Sequence, residues 1–135
     1  MFEQIREFRR KLSSGRLCIG PGVTFSDPEV ASVGLTEEQA RAGGRDVKTG
    51  VVRFEDNERA HIDGRTFGLV KLVADDETGE LLGGHIVGEE AGAMIHEVVA
   101  AMAGRMRPRA VGEAVHAYPT LSESVKGAFL QLAED

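Results

Sequence analysis

Residues 67–87 read FGLVKLVADDETGELLGGHIV, two apolar runs on either side of a short polar loop. The runs, 67–73 and 80–87, are rich in Val, Leu and Ile and are bounded by Gly and Asp, a pattern typical of strands. The loop Asp75–Gly79 ends in a glycine, which can adopt the positive φ that hairpin loops often require. The stretch therefore predicts an antiparallel β-hairpin, around which the other elements are arranged.

The residues upstream of the hairpin predict three further strand segments. A strand pair is predicted over 23–34, with an interruption at Pro28, because proline cannot continue a hydrogen-bonded ladder. Another strand is predicted over 47–54 from the spacing of its apolar residues. The polar residues 55–65 that follow fit a strand poorly.

Helices are predicted from apolar spacing and from capping residues. Thr36 and Gln39 have the spacing of a capping box at a helix start. The clearest stripe, at i, i+3, i+4, i+7, i+8 and i+11, consists of Ala91, Met94, Ile95, Val98, Val99 and Met102. The predicted helices cover residues 1–14, 36–43, 89–103, 108–115 and 121–133. Strands and helices do not alternate regularly, which predicts an α+β domain with a largely antiparallel sheet flanked by helices.

Composition and charge restrict the class of protein. A chain of 135 residues is long enough for one domain. The net charge of -6 gives no basis for a nucleic-acid partner, and no apolar stretch reaches the roughly 18 residues that cross a membrane. Residues 1–12 lack the apolar centre of a signal peptide, and Cys18 is the one cysteine. We therefore expect a cytoplasmic protein.

The segment His116-Ala117-Tyr118-Pro119-Thr120-Leu121-Ser122-Glu123 groups an imidazole, a phenol and a carboxylate before a predicted helix. In a structural interpretation, Thr120 and Glu123 form a capping box and the Tyr118 ring packs against the core. In a functional interpretation, Glu123 orients a neighbouring basic or phenolic group for acid–base chemistry. A histidine–carboxylate pair exchanges protons near neutral pH, whereas a phenol with the ordinary pKa of about 10 mostly cannot. Both interpretations are open at this point.

The other candidate sites are weaker. His96 and Glu97 begin a helical zinc-protease motif, but Ala100 stands where its second histidine would be. His61 and His85 are isolated in the sequence and are expected to be structural. The glycine-rich fingerprints of dinucleotide and phosphate binding do not occur in the chain. We therefore predict no metal-binding and no cofactor-binding residue here.

Several ordered motifs resemble the C-terminal domain of the pyridine nucleotide-disulfide oxidoreductases, the family of dihydrolipoamide dehydrogenase, glutathione reductase and mercuric reductase. The matching stretches are 24–37 (TFSDPEVASVGLTE), 59–60, 68–72, 81–88, 91–100 and 116–123, which together extend over about residues 22 to 132. The resemblance implies a five-stranded, largely antiparallel sheet whose task is homodimerisation. In this family one chain supplies the flavin and the redox-active disulfide, and this domain reaches in from the other chain.

The family signature His-x-His-Pro-Thr-Leu-Ser-Glu matches residues 116–123 with one substitution. Tyr118 stands where the family has its acid–base histidine, Glu123 matches the paired glutamate, and His116 matches the more N-terminal histidine. The resemblance thus implies that Tyr118, Glu123 and His116 serve the redox site of a partner subunit. A tyrosine here is similar to the mercuric reductase and soluble transhydrogenase branches, and it argues against dithiol turnover of the lipoamide or glutathione type.

The leading hypothesis is that residues 22–135 form the homodimerisation domain of an FAD-dependent enzyme, preceded by a helix and linker at 1–21. FAD and NAD(P)H would be held by other domains of a full-length enzyme, so the chain alone is expected to be inactive. The partner would be a second copy or a full-length relative. The stripe over 91–102 and the last helix are expected to lie partly at the interface.

Two other hypotheses are weighed against this one. The first is a stand-alone interaction module with no catalytic role. The second is a small independent enzyme that uses His116 and Glu123, which would require a deep pocket joining the two side chains within one monomer.

Overall fold

The computed structural model describes residues 20–134, so the helix predicted over residues 1–14 lies outside the described part of the chain. The strands are β1 (Gly22–Thr24), β2 (Glu29–Gly34), β3 (Val47–Arg53), β4 (Leu69–Asp75) and β5 (Leu81–Gly88). The α-helices are α1 (Glu37–Ala42), α2 (Glu58–Ile62), α3 (Ala91–Ala103), α4 (Pro108–Gly112) and α5 (Ser122–Ala133), and a 3-10 turn at Phe54–Asp56 precedes α2. Within the described residues, no helix combines the length and the apolar character needed to cross a membrane.

The five strands form one sheet in the order β1-β2-β5-β4-β3, and every neighbouring pair is antiparallel. This confirms the α+β prediction and the central hairpin, which is β4–β5. Gly79 in the hairpin loop has a φ of 70°, in the left-handed region that favours glycine. The Asp75 carboxylate closes the loop by accepting hydrogen bonds from the N–H groups of Glu77 and Thr78. The Thr78 N–H makes the largest contribution to lowering the pKa of Asp75 below its ordinary value.

The core lies between one face of the sheet and the helices α3 and α5. The α3 stripe faces the sheet, since Met94, Ile95 and Val98 are at most 5% exposed. Helix α5 also contributes buried side chains to the core: Val125, Ala128, Phe129 and Leu132. The domain's own sheet covers the α3 stripe, so the expectation that this stripe lies at an interface between copies is wrong; the same expectation for part of the last helix stays a prediction.

Local sequence signals identified most helix boundaries. The capping box of α1 is confirmed: the Thr36 hydroxyl accepts from the Gln39 N–H, and the Gln39 side chain accepts from the Thr36 N–H. Helix α4 is shorter than predicted and ends at Gly112 rather than near Val115. The polar residues 55–65 form the 3-10 turn and α2, consistent with their poor fit to a strand.

Two glycines allow α5 to lie close against β3. A Cβ atom added at Gly50 would lie 2.1 Å from the carbonyl oxygen of Ala128, and one at Gly127 would lie 3.1 Å from Val52 Cγ2. The first contact is with backbone, which cannot move aside by a side-chain rotation. Gly50 therefore determines how closely α5 approaches the sheet, and so where the first turn of α5 is placed.

We predict that Gly50→Ala lowers the free energy of unfolding by about 1–3 kcal/mol, because the added methyl group forces α5 away from β3. Urea denaturation of the purified chain measures this change. The matched control is Gly22→Ala, since a Cβ at Gly22 meets nothing within 4 Å; its effect should stay within about 0.5 kcal/mol. Equal losses in the two variants would contradict the role assigned to Gly50.

Candidate functional site

Residues 113–121 connect α4 to α5 and carry two of the three predicted site residues, and the third, Glu123, lies in the first turn of α5. The side chains of Val115 and Tyr118 are 98% and 66% exposed, whereas that of Leu121 is buried. The Tyr118–Pro119 peptide bond is cis. The segment is a surface loop whose C-terminal end is anchored in the core by Leu121.

His116 is partly buried, with 13% of its side chain accessible. Its Nε2 lies 2.7 Å from Oε1 of Glu97, in the middle of α3, and its Nδ1 lies 3.0 Å from the carbonyl oxygen of Ala114. The structure therefore pairs His116 with Glu97 and not with Glu123. Sequence reasoning missed Glu97, because the two residues are 19 positions apart and become neighbours only where the loop crosses α3.

Tyr118 points away from the domain. Its side chain is 66% exposed, so the expectation that the ring packs against the core is wrong. Among residues 20–134 its hydroxyl has no hydrogen-bond partner. The phenol is thus available to a molecule outside the domain, and it does not contact Glu123 through a hydrogen bond within this chain.

Glu123 forms half of the predicted capping box. Its Oε2 accepts a hydrogen bond from the backbone N–H of Thr120 at 3.2 Å. The Thr120 hydroxyl does not return the contact, since it donates to the carbonyl oxygen of Ala117 at 2.8 Å. The carboxylate therefore holds the end of the loop against the start of α5. The reciprocal capping box expected from the spacing is not formed.

Asn57, which sequence reasoning also missed, connects α2 to the same loop. Its Oδ1 accepts from the N–H of Ala60 and caps α2. Its Nδ2 donates to the carbonyl oxygen of Thr120 at 3.1 Å and to Oγ of Ser124 at 2.8 Å. Asn57 is 5% exposed and Ser124 is 1% exposed, so these bonds are sheltered from water. In the sequence, an asparagine that follows a strand-like segment and precedes a helix could have indicated the cap. These signals do not indicate the two bonds to the loop.

An open pocket of about 470 Å³ lies beside the loop. Its lining consists of Arg59, Asp63, Arg65, Glu89, Glu90, Pro119, Thr120 and Leu121. Arg59 is bonded to Asp63 at 2.7 Å, which raises the pKa of its guanidinium, and Arg65 is paired with Asp27 and Glu89. Because both arginines are already paired with carboxylates, the pocket does not fit the diphosphate of a flavin or nicotinamide dinucleotide. Nor is it lined by His116 or Glu123, so it does not support an independent enzyme built on those two residues.

The remaining histidines bond to backbone carbonyl oxygens. His61 contacts Glu55, His85 contacts Leu35, and His96 contacts Gly92. No group of three or more potential metal ligands occurs within residues 20–134. Cys18 lies outside the described residues.

We predict that Asn57→Ala lowers the free energy of unfolding by about 2–4 kcal/mol. The change removes a helix cap, worth about 1 kcal/mol, and leaves the buried groups of Thr120 and Ser124 without their donor, at about 1–3 kcal/mol. Thr36→Ala is the matched control, because it removes only an exposed cap and should cost about 1 kcal/mol. Urea denaturation of both variants makes the comparison, and equal losses would contradict the role given to the Asn57 amide.

Sequence comparison identifies relatives of this chain. The family model described as the pyridine nucleotide-disulphide oxidoreductase dimerisation domain matches residues 20–129. A dihydrolipoyl dehydrogenase from Mycobacterium leprae is 44% identical over 109 residues, which cover 81% of this chain and 23% of that protein. The mitochondrial dihydrolipoyl dehydrogenase of Pisum sativum is 42% identical over 108 residues, which cover 80% of this chain and 22% of that protein. The chain thus spans under a quarter of the length of these curated relatives.

Solved structures have the same fold. LpdA from Mycobacterium tuberculosis superposes with a TM-score of 0.80 at 25% identity, covering 92% of this chain and 28% of that one. The HOCl-induced flavoprotein disulfide reductase RclA from Escherichia coli gives a TM-score of 0.79 at 26% identity, covering 92% and 30%. This chain therefore belongs to the pyridine nucleotide-disulfide oxidoreductase family, of which it is a dimerisation domain.

Proposed function

We propose that this chain is the homodimerisation domain of an FAD-dependent enzyme of this family, and that it supplies Tyr118 and Glu123 to the redox site of a partner subunit, with His116 beside them. The observation that carries the proposal is the position of Tyr118: an exposed phenol on a loop that is hydrogen-bonded to the domain at both ends. FAD and NAD(P)H would be bound by regions outside this domain, which matches only 22–23% of the length of its relatives.

A tyrosine at this position favours different chemistry from a histidine. A phenol with an ordinary pKa of about 10 keeps its proton at neutral pH. It can donate a hydrogen bond to a sulfur or oxygen atom of a bound substrate, but it is a poor proton acceptor. We therefore propose that the enzyme's substrate is not a dithiol of the lipoamide type, and that Tyr118 binds and polarises the substrate rather than exchanging protons with it.

Glu123 supports this function from the first turn of α5. One carboxylate oxygen accepts the Thr120 N–H. The other oxygen has no hydrogen-bond partner among residues 20–134. The carboxylate can therefore hold the loop and still accept a hydrogen bond from a group of the partner subunit.

Self-association is supported by the face of the sheet that α3 and α5 leave uncovered. Val30, Val87 and Leu69 lie side by side across β2, β5 and β4. Because side chains alternate along a strand, they point away from the core that Ala31 and Ile86 help to form. Val30 is 43% exposed. We propose that a second copy of the chain covers part of this apolar row, since contiguous exposed apolar surface typically marks an interaction site.

The domain boundaries and the location of the protein also belong to the proposal. The division into a helix and linker at 1–21 and a domain at 22–135 stays a prediction from the sequence, while the family match extends over residues 20–129. A cytoplasmic location stays a prediction from the sequence.

The test is a chimera in which residues 20–134 replace the matching C-terminal domain of the Mycobacterium leprae dihydrolipoyl dehydrogenase. We predict that Tyr118→His in this chimera raises the turnover of dihydrolipoamide by about 100-fold or more, the usual contribution of a placed general acid or base. Adding Glu123→Ala to Tyr118→His should remove most of the gain. Steady-state kinetics with NAD⁺ measure both effects.

The matched control is Phe67→His, which places a histidine at another highly exposed aromatic position outside the loop. It should leave turnover unchanged. If the chimera is dimeric and loaded with flavin, yet Tyr118→His and Phe67→His give the same turnover, then residue 118 does not reach the redox site and the proposal fails.

A further inference from the structure

We propose that His116 is a positioning residue: by bridging Ala114 and Glu97, its ring ties the loop that carries Tyr118 to α3 and holds the phenol in its outward orientation. Two hydrogen bonds carry this inference, at 2.7 Å from Nε2 to Glu97 and at 3.0 Å from Nδ1 to the carbonyl oxygen of Ala114. The action of this phenol on a partner subunit rests on the proposed function. The restraint of the loop by His116 does not rest on it.

The chemistry of the two contacts excludes His116 from a direct catalytic role. Both ring nitrogens lie within hydrogen-bond distance of oxygen atoms of the same chain, the carbonyl oxygen of Ala114 and the carboxylate of Glu97. With both nitrogens engaged inside the domain, the ring offers neither a free donor nor a free acceptor to a substrate.

The position of the contacts explains why they restrain Tyr118. On the C-terminal side, the loop is held by the bonds of Thr120 to Glu123 and to Ala117. On the N-terminal side, Glu113 accepts a hydrogen bond from Arg109 of the preceding helix α4, and His116 connects the loop to α3. Between these two anchors lie only Ala117, Tyr118 and Pro119. Releasing His116 would therefore free the chain on one side of the phenol and leave the other side fixed.

Glu97 is suited to act as the fixed end of this bridge. It lies near the middle of α3, between the buried residues Ile95 and Val98, so its backbone is set by the core. Its side chain is 27% exposed, and that of His116 is 13% exposed. A hydrogen bond between partly buried groups competes less with water than one on the surface. The bridge therefore connects the rigid core to the most exposed part of the domain.

Tyr118 can report on the bridge directly, because the chain contains one tyrosine and no tryptophan. Time-resolved anisotropy of its fluorescence separates local motion of the ring from tumbling of the whole molecule. We predict that Glu97→Ala and His116→Ala each raise the amplitude of the fast local depolarisation by about twofold, since exposed side chains move in picoseconds to nanoseconds and released loops from nanoseconds upward. The double variant should show no larger change than either single one.

Conservative and matched variants separate positioning from a general loss of structure. Glu97→Gln should behave like the wild type, because its amide oxygen still accepts from His116. His96→Ala, which changes the neighbouring α3 residue bonded to Gly92, should also leave the depolarisation unchanged. Urea denaturation of each variant verifies that it is folded under the conditions of the measurement.

Two results would overturn the inference: depolarisation that is unchanged in both Glu97→Ala and His116→Ala, or Glu97→Gln as mobile as Glu97→Ala. The measurement does not depend on the proposed function. A monomeric chain that shows the predicted change in depolarisation would support the bridge and contradict homodimerisation. An active chimera, together with an unchanged Tyr118 signal, would support the proposed function and contradict the bridge.

Discussion

The buried side-chain amide of Asn57 is the contact on which the arrangement of the C-terminal loop depends. One end of the amide caps α2 and the other end binds Thr120 and Ser124, so a single side chain connects three parts of the chain. Its bonds span up to 67 positions of sequence and are sheltered from water. A buried polar group of this kind must be fully satisfied, because an unpaired donor or acceptor in the interior costs more than the bond contributes. The amide therefore specifies one position for the start of α5.

The close contact of α5 with the sheet at Gly50 is a second restraint on the position of α5. Apolar packing holds the helix against the sheet but tolerates small shifts along it, whereas hydrogen bonds are directional. Together they place the first turn of α5, with Glu123 and the end of the loop, at one edge of the domain. The loop can then expose Val115 and Tyr118 without losing its attachment, and an exposed yet restrained side chain is what an interaction with a second subunit requires.

The sequence predicted those parts of the fold that depend on neighbouring residues. The β4–β5 hairpin and the capping box at Thr36 follow from short patterns of side-chain type, and the structure confirms both. The apolar stripe of α3 correctly predicted a helix, but the stripe does not say which surface covers it. The sheet of the same chain does, and the expected interface at that stripe was wrong.

The candidate site was predictable in its residue types and less so in its geometry. The signature over 116–123 identified the loop, yet the partner of His116 is Glu97, on another element. The spacing of Thr120 and Glu123 predicted a reciprocal cap, but the Thr120 hydroxyl bonds to Ala117 instead. The first difference arises from a contact between two elements that one-dimensional patterns do not encode, and the second from a bond within the loop that competes with the cap.

Whether this domain associates with a second copy of itself can be measured from its solution mass across a concentration series. Light scattering should give twice the chain mass of 14.5 kDa, with a dimer that persists on dilution to micromolar concentrations, as a free energy of association near -8 kcal/mol would require. A mass of one chain at every concentration up to about 1 mM, where even a very weak dimer forms, would contradict the account.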